Sequence, residues 1–136
     1  MPLTAEDKFE ITELIHRLNY ALDARDGDAY SGCFTEEAEF VLPDHTIVGH
    51  AGLREHAVQP GPYDHPVQHW SGNIVIDGDG YRARAKAYVL GPDGPRADGS
   101  YGLVVMGSVS YSAVRVDGTW LFDRLMVERD ELWLPE

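Results

Sequence analysis

Cysteine is nearly absent from the sequence: Cys33 is the only one, so no disulfide can form within the chain. A reducing compartment is therefore the default, and we expect a cytoplasmic protein. The apolar neighbourhood of Cys33 favours a small buried residue over a reactive thiol. Long hydrophobic runs are also missing, since none approaches the ~20 residues of a membrane span. The first residues lack the basic and apolar regions of a signal peptide, so we expect no leader sequence.

Basic residues are scarce as well. Eleven Lys and Arg stand against 23 Asp and Glu, which gives a net charge of −12. Nucleic acids and anionic membranes are bound through basic surfaces, so this charge argues against both as partners. A strongly anionic substrate would be repelled unless a local cation offset the field. At 136 residues, 43% of them hydrophobic, the chain fits one domain with a buried core.

The first half of the sequence predicts helices and a small hairpin. Thr4 to Asp7 has the spacing of a capping box, and apolar residues then recur at helical spacing, which predicts an amphipathic helix over 5–25 ended by Gly27. The apolar stripe consists of Ile11, Leu14, Ile15, Leu18 and Leu22. The elements expected to follow are a short helix over 28–34, strands over 38–42 and 46–48, and a third helix over 49–59.

From Val67 onward the sequence predicts strands, separated by Gly-rich turns at 77–80, 91–99 and 116–119. In the strand over 81–90, Ala and Val alternate with Arg, Lys and Tyr, which indicates one buried face and one basic face. Helices followed by long antiparallel strands indicate an α+β fold. A strongly curved, mostly antiparallel sheet with the N-terminal helices packed across it would form a cone whose open end is a natural ligand site.

One strand carries several polar residues on a single predicted face. In an extended strand, His69, Ser71, Asn73 and Val75 point to the same side. Such a face is either wet or lines a cavity, and we interpret His69 as the centre of a pocket. The preceding segment 60–66, rich in Pro and Gly, cannot be regular structure and is expected to lie over the pocket mouth.

The order of several motifs resembles that of a known family. The motifs are 14–23 on the first helix, 34–40 at the entry to the first strand, 49–53, His69–Asn73, and Asp117–Trp120 followed by Arg124. Together they resemble the nuclear transport factor 2-like fold, specifically the SnoaL-like group, which includes scytalone dehydratase, a bile-acid dehydratase and hexachlorocyclohexane dehydrochlorinase. The resemblance implies a single SnoaL-like domain over 1–136, shaped as a cone-like α+β barrel.

The resemblance also implies a chemistry. In those enzymes an Asp on the first helix orients a His on a strand, and the His removes a proton from the substrate; by motif these roles fall on Asp23 and His69. Free imidazole titrates near ~6.5 and is a usable base at neutral pH. The expected activity is a cofactor-independent lyase or isomerase for a mostly apolar small molecule. We further predict that five residues bind this substrate: Tyr20, Phe40, Tyr63, Trp70 and Asn73.

Other interpretations stay open. A SnoaL-like polyketide cyclase would use a carboxylic acid instead of the His, and a ligand-binding or subunit-interaction module would have no chemistry. A lone His on a strand is more often structural, Tyr20 could be a core or interface residue, and Asn73 could anchor backbone. The sequence has no phosphate-binding loop, dinucleotide fingerprint or metal-ligand cluster, so we expect neither a cofactor nor a metal. The family commonly pairs through its sheet face, which implies a homodimer or a higher homo-oligomer.

Overall fold

The structure is a computed structural model, and it describes residues 1–59 and 67–128, except for the side chains of 104–106. The predicted segment 60–66, with Tyr63, and the end of the predicted last strand lie outside the described residues. The helices in these ranges are α1 (Ala5–Asp23), α2 (Gly27–Ser31) and α3 (Gly49–Val58). The strands are β1 (Phe34–Val41), β2 (Thr46–Val48), β3 (Trp70–Gly78), β4 (Arg82–Asp93), β5 (Gly102–Val116) and β6 (Thr119–Glu128).

The strands form one six-stranded sheet in the order β2-β1-β6-β5-β4-β3. Only the β1–β6 pair is parallel, and every other neighbouring pair is antiparallel. Bulges interrupt the β3–β4, β4–β5 and β5–β6 ladders, and bulges bend strands and increase their twist. The predicted α+β cone is confirmed: a strongly curved, mostly antiparallel sheet is covered on one face by the helices.

Helix α1 begins as predicted but ends two residues earlier. The capping box is present: Thr4 Oγ1 accepts from the Asp7 N–H, and the Asp7 carboxylate accepts from the Thr4 N–H. The predicted end at Gly27 is wrong, because Arg25 adopts a left-handed conformation with φ 53°. The Arg25 N–H donates to the Leu22 carbonyl, and the Asp26 N–H donates to the Ala21 carbonyl. These two hydrogen bonds form a Schellman motif. Asp23 is therefore the last helical residue.

Asp7 also ties the start of α1 to the sheet. Its carboxylate accepts hydrogen bonds from Arg115 on β5 and, at 3.1 Å, from the Trp120 indole N–H on β6. The backbone hydrogen bond from Thr4 is the main reason why the pKa of Asp7 is lowered, although burial opposes the shift. These contacts fix the position of the helix whose far end carries Asp23.

Other boundaries also differ from the prediction: the second helix ends at Ser31 rather than at residue 34, and the strand predicted over 81–90 continues to Asp93. Strand β1 begins at Phe34 rather than at residue 38, because Phe34 pairs with Phe122 on β6. The Phe122 N–H donates to the carbonyl of Cys33, the residue before Phe34. Strand β3 begins at Trp70 rather than at Val67, which makes only a single bridge to Asp93. His69 therefore lies just before the regular strand. The predicted pairing of 46–48 back onto the first strand is confirmed.

The core fills the space between the helices and the inner sheet face. Its largest fully buried side chains are Ile11, Ile15, Tyr30, Phe34, Leu53, Phe122 and Leu125. Cys33 is buried, as predicted. On β4 the predicted alternation is confirmed, with Ala83, Ala85, Ala87 and Val89 buried and Arg82, Arg84, Lys86 and Tyr88 exposed.

Candidate functional site

Asp23 and His69 meet where the end of α1 passes the start of β3. The Asp23 Oδ1 atom lies 2.5 Å from the His69 Nδ1 atom. The backbone N–H of His69 also donates to both carboxylate oxygens, at 3.2 and 3.1 Å. The predicted contact between the two side chains is therefore present. Because the carboxylate binds both the ring and the backbone of His69, it fixes the ring orientation and leaves Nε2 as the nitrogen for proton transfer.

The pair is screened from water more than its position suggests. Asp23 occupies an exposed helix end, yet its side chain exposes 22% of its surface and that of His69 exposes 21%. A carboxylate at a helix C-terminus is disfavoured by the helix dipole. The hydrogen bonds from His69 offset this cost, and a protonated imidazole would offset it further.

A close backbone approach holds the segment that carries His69. The Gln68 N–H donates to the Pro92 carbonyl at 3.4 Å, and Val67 bridges Asp93. A Cβ atom added to Gly91 would lie 1.5 Å from the Gln68 carbonyl oxygen. Only glycine fits at this point of β4, so Gly91 sets how closely the segment before β3 packs on the sheet.

A cleft of about 520 Å³ surrounds the pair. Small-molecule sites commonly have volumes of ~300–1,000 Å³. The lining residues come from the second half of α1 and from the start of β3: His16, Asn19, Tyr20, Asp23, Gln68, His69, Trp70 and Ser71. Tyr20 and Trp70 are largely exposed and form aromatic walls at the rim. The cleft therefore combines a fixed imidazole with exposed aromatic surface.

Of the other predicted binding residues, Phe40 and Asn73 fall outside this cleft, and Tyr63 is not among the described residues. Phe40 is buried in the core, with its ring 5.3 Å from that of His56. Asn73 is exposed in the β3 bulge with φ 53°. Past the bulge Ile74 and Ile76 face the core, so Asn73 and Val75 lie on the solvent side. The single polar face predicted for 69–75 is therefore wrong beyond Ser71, because the bulge reverses the alternation.

Asn19 and Ser71 line the cleft but were not among the predicted catalytic or substrate-binding residues. Asn19 is 8% exposed, and its Nδ2 atom donates to Ser71 Oγ at 2.8 Å. Burial raises the pKa of the Tyr111 phenol to about 12, and the Ser71 side chain opposes this shift. Asn19 lies one helical turn before Asp23, on the same side of α1. A buried amide at this position of an amphipathic helix was the signal available in the sequence.

Metal sites and membrane spans were sought in the described residues. Within 1–59 and 67–128, no three His, Cys, Asp or Glu side chains are grouped so that they could hold a metal ion. None of the helices in these ranges is long and apolar enough to cross a membrane.

A polar pair set in the cleft of a helix-covered curved sheet defines a small-molecule-binding domain of the α+β cone class. The chain matches the model of the SnoaL-like domain over residues 3–126, and it therefore belongs to the SnoaL-like family. The predicted resemblance to this group is confirmed. No curated protein matches the chain.

Several solved structures share the fold. A Nostoc punctiforme protein of unknown function with a cystatin-like fold is 25% identical, with TM-score 0.81 and 96% of each chain covered. A Novosphingobium aromaticivorans protein provisionally named an aromatic ring hydroxylase is 28% identical, with TM-score 0.79, covering 97% of this chain and 92% of that one. A protein of the same organism, provisionally named a scytalone dehydratase, is 22% identical, with TM-score 0.76, covering 90% and 83%.

Proposed function

We propose that the protein is a cofactor-independent lyase or isomerase of the dehydratase type, with His69 as general base and Asp23 as its partner. The observation that carries the proposal is the 2.5 Å contact between Asp23 Oδ1 and His69 Nδ1 inside the cleft. The substrate is a mostly apolar small molecule held between Tyr20 and Trp70. Phe40 and Asn73 are left out of the proposed site, since neither lines the cleft.

The geometry supports a defined proton path. Asp23 accepts from Nδ1–H, which keeps the basic lone pair on Nε2. When Nε2 takes the substrate proton, the imidazolium charge forms beside the carboxylate and is stabilised there. A positioned general base of this kind contributes ~10²–10⁴-fold to a rate. The reaction needs a substrate with an acidic C–H bond next to a carbonyl or a leaving group.

Two alternatives use the same fold differently. A polyketide cyclase would rely on a carboxylic acid, and Asp23 is the carboxylate in the cleft. The second alternative is a ligand-binding or subunit-interaction module without chemistry. Such a module has no need of a carboxylate bound to both the ring and the backbone of one histidine, which is why the catalytic proposal is preferred.

The test compares turnover by His69→Ala and Asp23→Asn proteins with the wild type. Removing the base is expected to lower turnover by ~10²–10⁴-fold. Asp23→Asn keeps the shape but loses the charge, so it should lower kcat more than it changes KM. His45→Ala is the matched control, because His45 and Asp44 form an exposed pair at 2.7 Å on the β1–β2 turn. Full activity in His69→Ala would refute the base, and loss of wild-type activity on chelation would refute the metal-free mechanism.

We also propose that the chain forms a homodimer through the outer sheet face and acts in the cytoplasm. The exposed basic row of β4, formed by Arg82, Arg84 and Lys86 with Tyr88, supports the first proposal, since it lies on a strongly acidic chain. The single cysteine supports the second. Light scattering that gave a 15.1 kDa monomer at micromolar concentration would overturn the dimer.

A further inference from the structure

The cleft holds a second polar centre beside the His69 ring. Ser71 lies two residues after His69, and both line the cleft. The Ser71 hydroxyl accepts a hydrogen bond from Asn19, whose amide nitrogen lies 2.8 Å from Oγ. Asn19 exposes 8% of its surface, so this hydrogen bond is largely removed from water.

The direction of the Asn19 bond determines what Ser71 can offer a ligand. An amide NH₂ group can only donate, so Asn19 uses one lone pair of Ser71 Oγ and leaves the Ser71 proton unused. Because Ser71 lines the cleft, this proton is available to a ligand there. A hydroxyl that accepts one hydrogen bond while it donates another is polarised, which strengthens it as a donor.

We propose that Ser71 is the hydrogen-bond donor to the oxygen of the substrate, that Asn19 positions it, and that the substrate is a neutral carbonyl compound. The inference rests on the proposed function, since it places the carbonyl oxygen at Ser71 and the adjacent C–H at His69. Among the described residues that line the cleft, none is a Lys or an Arg. A neutral donor without a cation suits a ketone oxygen better than a carboxylate or a phosphate.

The step is balanced within the substrate and His69. The Nε2 lone pair of His69 takes the hydrogen on the carbon next to the carbonyl. The electrons of that C–H bond form the enolate C=C bond, and the C=O π electrons move onto the oxygen. The charge that develops on this oxygen strengthens the hydrogen bond from Ser71, which is therefore worth more in the transition state than in the ground state. Return of the proton from His69 restores the ketone.

The experiment measures exchange of α-hydrogens for deuterium by NMR, which requires only the proton-transfer half of the reaction. The full chain is incubated in D₂O with 2-tetralone, 1-indanone and acetophenone as probes. Wild type is expected to catalyse exchange of at least one probe. Ser71→Ala should lower kcat for exchange by ~10²-fold, the loss seen for one oxyanion donor. Ser71→Thr keeps the hydroxyl and should retain most of the rate.

Controls separate a positioning role from a structural one. Ser110→Ala removes a hydroxyl from the exposed side of β5 and should leave exchange unchanged. Asn19→Leu should lower kcat with little change in KM in the wild type, and should have no further effect in the Ser71→Ala background. An equal Asn19→Leu loss in both backgrounds would overturn the positioning role.

The outcomes also separate this inference from the proposed function. If His69→Ala abolishes exchange while Ser71→Ala exchanges like wild type, the donor assignment is overturned and the base stands. If His69→Ala exchanges like wild type, the base itself is wrong. Wild-type protein that exchanges none of the three ketones would overturn the carbonyl assignment. A far-UV circular dichroism melt of each variant ensures that the comparison is made on folded protein.

Discussion

Replacing Gly91 with alanine should displace His69 without touching the cleft directly. Gly91 lies on β4 behind the segment that carries the imidazole, and it does not line the cleft. A Cβ atom at this position would lie 1.5 Å from the Gln68 carbonyl oxygen and 2.7 Å from its carbonyl carbon. Both atoms belong to backbone, so no side-chain rotation can relieve the overlap. The Gln68–His69 segment and β4 must separate.

The size of the shift follows from these distances. Real Cβ contacts essentially never fall below 3.0 Å. The distance between the added Cβ and the Gln68 carbonyl oxygen would therefore have to grow from 1.5 Å to at least 3.0 Å. The bonds from the His69 N–H to Asp23 already measure 3.1 and 3.2 Å. Hydrogen bonds weaken steeply a few tenths of an ångström beyond this range. A misplacement of about 1 Å can cost ~10²-fold in rate, and overpacking of this kind typically costs ~1–3 kcal/mol of stability.

Two measurements check the displacement. Proton NMR should show loss of the far-downfield resonance of the His69 Nδ1–H bonded to Asp23, and ketone exchange should fall by ~10²-fold. Gly72→Ala is the matched control, because its added Cβ meets nothing within 4 Å. A Gly91→Ala protein that kept both the resonance and the wild-type exchange rate would refute the close approach as the determinant of the His69 position.

Two further predictions concern buried titratable groups. Burial between Tyr30 and Phe40, with the charges of His45 and His69, lowers the pKa of His56 from 6.5. The folded state therefore binds a proton on His56 less readily than the unfolded state, so the free energy of unfolding should fall as the pH drops below 6.5. A His56→Phe variant should flatten this part of the plot of urea midpoint against pH. An unchanged slope would contradict the burial of neutral His56. Burial also raises the pKa of the Cys33 thiol to about 11, so iodoacetamide at pH 8 should modify Cys33 only after the protein unfolds. Equal rates of Cys33 modification in native and unfolded protein would contradict this prediction.

The elements that depend on local pattern were predictable from the sequence. The capping box at Thr4 and the alternation around Ala85 on β4 each follow from side-chain spacing alone, and both are present. The boundaries that depend on distant pairing were not. Strand β1 begins at Phe34 because of its parallel partner on β6, and no local signal encodes that partner. The end of α1 was missed because Arg25, rather than a glycine, takes the left-handed position.

In the candidate site too, some features were predicted correctly, whereas those set by pairing between strands were not. The contact between Asp23 and His69 was expected from the family resemblance, and the structure contains it. Asn73 was placed on the His69 face by strict strand alternation, which the bulge interrupts. A bulge in one strand is set by the ladder with its neighbour, so alternation within the strand cannot reveal it. Phe40 was predicted to bind the substrate, but its side chain is buried in the core.

The pairing of α1 with β3 explains why the two polar contacts occur together. Asn19 and Asp23 are four residues apart on the helix, which places them ~6 Å apart along its axis at ~1.5 Å per residue. Ser71 and His69 are two residues apart in extended chain, which spans ~6.6 Å at ~3.3 Å per residue. The two spacings match, so both contacts can form side by side, and all four residues line the cleft. The two contacts therefore hold the proposed base and the proposed oxygen donor at a fixed distance, which is what removal of a proton beside a carbonyl requires.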